Sequence, residues 1–391
     1  MDNRETHIPQ LRFPAFSGGW EEKKFKDITF PVGKRNRHNL PYERYSISNE
    51  VGFYPQNEQF EDGGGYLKDI DCRQYIIVPP KSFAYNPARI NVGSIGYQDL
   101  GKEVIVSSLY EVFQTKADCD DSFLWQWFHT DLFHKMVVNV QEGGVRQYFY
   151  YEKLKDCVIL LPSISEQRRI AECLGTVDQI ISDQQQKVES LKAYKKGLMQ
   201  QLFPLPGETT PRLRFPGFTG EWEEKTFSDL CNTVTPPLKL QSRDYLKHGK
   251  YPIVDQSQDL ICGWTDDESG VISDNPVIIF GDHTCVLKFI AFPFVQGADG
   301  VKILKTLEGY WPQFVFQSFL ANPVNPDGYK RHFSDLKEKS FMFPRTPSEQ
   351  ETIADCLATL DSIIAAETKK LESLKTHKRG LMQQLFPQPN K

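Results

Sequence analysis

The chain has 391 residues, enough for two or three domains, and its 39% hydrophobic and 13% aromatic content can fill their cores. A net charge of −5 excludes a uniformly basic nucleic-acid-binding surface, although a local basic cleft is compatible with an acidic total. Met1 to Gln10 is polar and lacks an apolar signal core, no run reaches the length of a membrane span, and the eight cysteines form no C-x-x-C pair, so a reduced, cytoplasmic protein without membrane association is expected.

In chain order, the first distinct segment is Pro9-Gln10-Leu11-Arg12-Phe13-Pro14, followed by Trp20. From about Glu21 to Leu161, short apolar runs punctuated by Gly, Pro and Asn predict a mostly β head. Its strand candidates are Tyr75–Val78 and Lys102–Val106, and a helix is predicted from Phe123 to Val138 with Trp125, Phe128 and Leu132 on one face. Pro162 and Ser165 open a long helix whose first turn holds Glu166, where the helix dipole favours an acid; Pro204 closes it. Pro211-Arg212-Leu213-Arg214-Phe215-Pro216 with Trp222 then begins a second half. A second head, about Glu223 to Phe343, has strand candidates at Pro276–Phe280 and Gly300–Leu304 and a helix at Trp311–Leu320. Pro347 and Ser348 open a second long helix, with Glu349 in its first turn, and Pro387 closes it. The expected domains are 1–161, 162–204, 205–343 and 344–388, and each head is α+β.

The two long helices are copies of one another. Ser165-Glu166-Gln167 through Leu174 returns as Ser348-Glu349-Gln350 through Leu357, and both copies end in Gly-Leu-Met-Gln-Gln-Leu-Phe-Pro, at Gly197 and at Gly380. Each should be about 38 residues and roughly 57 Å long. Apolar residues recur at steps of four and three: Ile170, Leu174, Val177, Ile181, Val188, Leu191, Leu198 and Leu202, then Ile353, Leu357, Leu360, Ile364, Leu371, Leu374, Leu381 and Leu385. That is a coiled-coil seam. It is interrupted at matched places, Gln184 with Glu367 and Lys195 with Lys378. Parallel pairing would set Lys195 against Lys378. Antiparallel pairing lets Lys195 face Glu367 and Gln184 face Lys378, so the expected architecture is two mixed α/β heads separated by two long antiparallel coiled-coil helices with pseudo-two-fold symmetry. Two unlike heads on equal stalks suit a target with two half-sites, with the helices as a ruler.

Particular loops gather side chains that read base edges or hold phosphates. In the first head these are Asn86, Arg89, Asn91 and Ser94, then Arg146 and Gln147 in Gly143–Phe149; in the second, Asp282, His283, Thr284 and Lys288, then Lys330, Arg331 and His332. Arg suits guanine and Asn suits adenine. Lys34, Arg35, Arg37, Lys68, Lys239, Arg243, Lys247 and Lys250 are candidate phosphate contacts. Ordinary turn chemistry explains any one loop; two clusters at similar places in both heads favour a shared binding edge.

Catalytic constellations are missing. The sequence has no G-x-x-x-x-G-K-[ST], no G-x-G-x-x-G after a strand, no H-E-x-x-H and no zinc spacing. Pro79-Pro80 and Pro236-Pro237 lack the preceding Asn or Asp and following aromatic of an amino-methyltransferase, and Asp282-His283 in a glycine loop fits a structural or binding contact better than catalysis. Rival readings are a self-contained DNA methyltransferase or nuclease, and a coiled-coil adaptor presenting two protein-binding heads, which the acidic charge mildly supports.

Three features together resemble the specificity subunit of Type I restriction–modification systems: Leu-Arg-Phe-Pro-x-Phe-x-Gly-x-Trp-Glu-Glu at Leu11–Glu22 and Leu213–Glu224, the Pro-to-Gln stalk openings at Pro162–Gln167 and Pro347–Gln350, and the closes at Lys195–Phe203 and Lys378–Phe386. Phe83–Ile90 and Phe280–Thr284 also look like segments of that family's target-recognition domains. The resemblance covers essentially the whole chain. It implies that each head reads one half of a split, asymmetric sequence in double-stranded DNA. It implies that the stalks are spacers docking two adenine methyltransferase subunits, with restriction/translocase subunits added. The chain itself would then bind no cofactor; S-adenosylmethionine, ATP and Mg would belong to the partners, and no metal is expected here.

Overall fold

The computed structural model describes residues 7–49, 52–56, 71–141, 148–328 and 330–387. It has mixed helices and strands of α+β type and divides into two compact units, Met1–Asp183 with Leu371–Lys391, and Gln184–Lys370.

Unit 1 runs β1 (Glu21–Lys24), α1 (Phe25–Ile28), β2 (Thr29–Pro31), β3 (Lys34–Arg35), β4 (Tyr45–Ser48), β5 (Gly52–Pro55), β6 (Ile76–Val78), β7 (Ser82–Tyr85), β8 (Ile95–Gln98), β9 (Val104–Val106), β10 (Glu111–Thr115), α2 (Asp121–Phe128), α3 (Asp131–Gln141), α4 (Tyr151–Leu154), β11 (Val158–Leu161) and the first part of α5 (Ile164–Leu202). A four-stranded sheet has the order β2-β10-β7-β8, and a three-stranded sheet the order β3-β6-β9. β7 has no solvent-facing side because both its faces are covered, so Ser82, Phe83, Ala84 and Tyr85 are all buried. Phe83 stacks on Phe113 of β10 at 5.2 Å, and the aromatic residues of α2 and α3 close the core above them. The single helix expected over Phe123–Val138 is broken at Thr130. Its hydroxyl donates to the Trp127 carbonyl (2.7 Å) and accepts from the Phe133 amide (3.4 Å), ending one helix and capping the next.

Unit 2 contains the rest of α5, then β12 (Glu223–Thr226), α6 (Phe227–Leu230), β13 (Cys231–Val234), β14 (Lys239–Leu240), β15 (Tyr251–Val254), β16 (Gly263–Thr265), β17 (Val271–Ile272), β18 (Val277–Gly281), β19 (Leu287–Ile290), β20 (Phe294–Gly297), β21 (Val301–Thr306), α7 (Pro312–Ala321), α8 (Phe333–Lys337), β22 (Ser340–Phe343) and the first part of α9 (Pro347–Leu385). Its four-stranded sheet, β13-β21-β18-β19, has the same order as that of unit 1. The second sheet differs: β14-β20-β15-β16, with β17 also on β20 and parallel pairings of β14 and β15 with β20. The α7 helix begins on Pro312, whose fixed φ suits the first helical position.

Inside each unit, α5 and α9 segments pack in opposite directions. In unit 2, Gln184 meets Glu367 while Lys195 meets Asp361; in unit 1, Lys378 meets Asp178, and Ile170 and Leu174 share a core with Met382, Leu385 and Phe386. Ile170, Leu174, Ile353 and Leu357 are buried because the sheet-bearing parts pack over these helix turns; Val177, Ile181, Leu191, Leu360, Ile364 and Leu374 are half-buried. The expected partners need correction. Lys195 faces Asp361 rather than Glu367, and Gln184 faces Glu367 rather than Lys378, because the register sets an acid one residue after Val177 or Leu360 opposite each lysine.

The repeated motifs act as a clasp. Arg12 donates to both oxygens of buried Glu166 (2.8 and 2.7 Å), and Arg214 does the same to Glu349 (2.7 and 2.8 Å). Leu11 N–H bonds the Gln384 carbonyl (3.0 Å) and Leu213 N–H the Gln201 carbonyl (2.9 Å), so each motif seals the end of one helix against the start of the other. Gln167 accepts from Asp120 N–H (2.8 Å), and Gln350 from Trp311 N–H (2.9 Å), fixing the loops before α2 and α7.

Candidate nucleic-acid interface

In unit 1 the β7–β8 loop is built by Asn86. Its side-chain oxygen accepts from Ala88 N–H (3.0 Å) and its N–H bonds the Ser94 carbonyl (3.0 Å), an Asx turn that closes the loop base. A 3-10 turn at Ile90–Val92 ends at Gly93, whose φ of 86° suits glycine. Ile90 is buried, whereas Arg89 and Asn91 project outward. Ser94 is buried, its hydroxyl given to the Ile47 carbonyl at 3.1 Å. Phe149 N–H bonds the Pro87 carbonyl (3.0 Å), so the segment before α4 joins the same edge. Arg146 and Gln147 lie outside the described residues.

In unit 2 the equivalent β18–β19 loop is organised by buried Asp282. Its N–H bonds the Gly300 carbonyl (2.6 Å), its carbonyl accepts from His332 N–H (2.7 Å), and its carboxylate accepts from Phe333 N–H (2.9 Å) with Lys302 Nζ at 3.8 Å. One acid thus ties together three loops, and the two predicted clusters, 282–284 and 330–332, converge. Gln256, absent from the sequence-predicted set, completes the junction: its Oε1 accepts from His283 N–H (3.2 Å) and its carbonyl from Thr284 Oγ1 (2.8 Å). The only sequence sign of it is the polar run Asp255-Gln256-Ser257-Gln258 after an apolar strand. His283 Nδ1 lies 3.1 Å from the Lys330 carbonyl.

Four predicted contacts are internal. Ser94, Asp282, Lys288 and His332 are buried, which removes them from a groove-facing surface. Lys288 donates to the carbonyls of Asp255, at 2.8 Å, and Asp259; a buried ammonium needs such acceptors, and burial pushes its pKa below the ordinary 10.5. His332 Nδ1 is 3.0 Å from Asp335, and its Nε2 meets no partner among the described residues. Hydrogen bonds from His332 and then Lys330 hold the Asp335 carboxyl below the usual range. Exposed on this edge are Thr284, Lys330 and Arg331, with His283 half-exposed. Arg89 and Arg331 have no ion pair among the described residues, whereas Lys330 Nζ is 3.3 Å from Asp335.

Of the phosphate candidates, Lys239, Arg243 and Lys250 sit near Asp299, Asp244 and Glu268 at 3.5, 3.8 and 3.5 Å, and Arg35 bonds Gln74. Lys34, Arg37 and Lys247 are exposed without an ion pair among the described residues, and Lys68 lies outside them. Among the described residues, no cluster of His, Cys, Asp and Glu could hold a metal, and no helix is long and apolar enough to cross a membrane.

Each unit therefore presents a hairpin loop stapled to the segment before a short helix, with an arginine that has no ion pair among the described residues. This is the form of a nucleic-acid-reading module built twice in one chain. The chain belongs to the family of Type I restriction modification DNA specificity domains, whose profile matches residues 18–193 and 219–376, and DNA recognition is its role. It is 24% identical to a Methanocaldococcus jannaschii protein provisionally named the type I restriction enzyme MjaX specificity subunit, over 98% of this chain and 96% of that protein. It is 22% identical to the type I restriction enzyme MjaVIII specificity subunit of the same organism, over 82% and 83%. Among solved structures, it shares its fold with the S subunit of a Type I restriction–modification system from M. genitalium, with a TM-score of 0.61, 12% identity, and 98% and 100% of the two chains covered.

Proposed function

We propose that this chain is the non-catalytic reader of a Type I restriction–modification complex, recognising a bipartite, asymmetric sequence in double-stranded DNA with one unit per half-site. The observation that carries this reading is the repeated edge with unlike side chains: Arg89 and Asn91 on the β7–β8 loop, against Thr284 on the β18–β19 loop with Lys330 and Arg331 just before α8. One shared sheet order carrying two chemistries suits two unlike half-sites. In this reading α5 and α9 form an antiparallel coiled-coil spacer with a pseudo-two-fold axis, and adenine methyltransferase and restriction subunits dock on it. Ile180 and Ile363, 46% and 41% exposed at equivalent positions of the repeat, support two copies of one partner. S-adenosylmethionine, ATP and Mg would be bound by those partners in the cytoplasm. Methylome sequencing of cells with and without the chain tests the proposal: loss of one bipartite adenine-methylation motif is expected, and an unchanged methylome would overturn it.

A further inference from the structure

Tyr148 and Tyr150 are each 47% exposed, and their rings stack at 5.5 Å with an interplanar angle of 25°. Extended backbone explains the pair. Alternate side chains of an extended segment point to opposite sides, so Phe149 is wholly buried while its two neighbours emerge together. The Phe149–Pro87 backbone bond holds them beside the loop that carries Arg89 and Asn91. Neither hydroxyl has a partner among the described residues. By the matching registers of β1 with β11 and β12 with β22, the equivalent stretch of unit 2 is Lys330-Arg331-His332, in which the last residue is wholly buried. Phe333, the next residue, matches buried Tyr151 and lies under Lys302 and Lys337 at 5.4 and 4.7 Å, edge-on to Phe227. Among the described residues, the exposed aromatic pair at this place is thus a property of unit 1.

Two stacked rings left open to water gain most from a flat, polarisable surface, and the adjacent Arg89–Asn91 edge brings nucleobases to them. We infer that Tyr148 and Tyr150 form a stacking ledge that holds an unstacked base of the half-site read by unit 1. That half-site is then recognised partly through the ease with which a base step opens, and not by hydrogen bonds alone. The inference rests on the proposed DNA-reading function.

The test uses the full chain with its methyltransferase subunits and the duplex that the wild type selects from randomised DNA. Y148A and Y150A should weaken binding roughly 5- to 150-fold, the range of base–aromatic stacking. Y148F and Y150F should bind within about twofold of wild type, since stacking needs the ring and not the hydroxyl. The salt dependence should stay the same in all four variants, because no phosphate contact is lost. With 5-iodouracil or 5-iodocytosine placed in turn at each pyrimidine, photocrosslinking should label the peptide containing Tyr148 and Tyr150. Alanine variants that bind like wild type, or crosslinks that never reach this peptide, would overturn the ledge alone. Selection of no duplex by the wild type would overturn the DNA-reading function beneath it.

Discussion

Lys195 donates to both carboxylate oxygens of Asp361, at 2.6 and 2.8 Å, and the repeat makes the same contact between Lys378 and Asp178 at 2.6 Å. Each acid also accepts from a glutamine of the helix that closes the neighbouring core: Gln317 to Asp361 at 3.1 Å, and Gln126 to Asp178 at 2.8 Å. The lysine side chain is 13% exposed and its partner 44%, between the limits at which ion pairs contribute nothing and at which breaking one is severe. K195M should therefore lower stability by about 1–2 kcal/mol. D361N should cost at least as much, because it leaves the more buried ammonium without its counter-charge. A double-mutant cycle read by urea unfolding should return a favourable coupling, and the charge swap K195D/D361K should recover part of the loss.

The Arg12–Glu166 clasp should be far less tolerant. Glu166 is 2% exposed and both its oxygens are taken by one guanidinium, so R12A leaves a buried carboxylate without its counter-charge. A loss of about 3–5 kcal/mol is expected, and R214A should match it through Glu349. R12K restores the charge but not the paired geometry, so it should recover only part of the stability. Thermal unfolding of the three variants against wild type checks the order.

Acid should loosen the α5–α9 contact at Glu367. Hydrogen bonds from Lys187 (2.5 Å) and then Gln184 (2.7 Å) hold its carboxyl below its ordinary 4.5. A depressed folded-state pKa means that the contribution is fully present above about pH 4.5 and is lost as pH falls through the lower folded-state value. E367Q should therefore be less stable than wild type at neutral pH, and the gap should narrow on acidification. Unfolding midpoints measured from neutral pH downward give the comparison; a gap that widens with acid contradicts the assignment.

The long helices and their matched polar interruptions were legible because a seven-residue pattern and a repeat are properties of sequence alone. The partners of Lys195 and Gln184 were not. Asp178 and Asp361 stand one residue past the seam positions Val177 and Leu360, and what they meet depends on register, which depends on how the sheets pack against both helices. The loops at Asn86–Ser94 and Asp282–Thr284 were recognised as special from their Asn, Gly and Asp content, which marks tight turns. Composition could not tell turn-builders from turn-presented residues. Asp282 and Ser94 are spent on backbone groups, whereas Arg89 projects, a distinction set by tertiary bonds to Gly300 and Ile47. Lys288 looked like a phosphate contact because a lysine in a strand is usually solvated; here the carbonyls of Asp255 and Asp259 capture it.

That distinction separates three substitutions. Arg89 and Arg331 are exposed and unpaired among the described residues, so R89A and R331A should leave the unfolding curve within about 0.5 kcal/mol of wild type, as surface changes do. If each arginine reads a guanine, its removal should weaken cognate binding by about 1–3 kcal/mol and relax the sequence preference at one position of its own half-site, leaving the other half-site unchanged. K288A should behave oppositely. Two part-buried carbonyls lose their donor and the packed lysine stem is lost, so stability should fall by about 1 kcal/mol while the selected sequence stays the same. Selection from randomised duplex DNA, run beside denaturant unfolding of the same preparations, separates the two classes. A relaxed preference in K288A with unchanged stability would place that ammonium at the DNA after all, and an unaltered preference in R89A and R331A would remove both arginines from base reading.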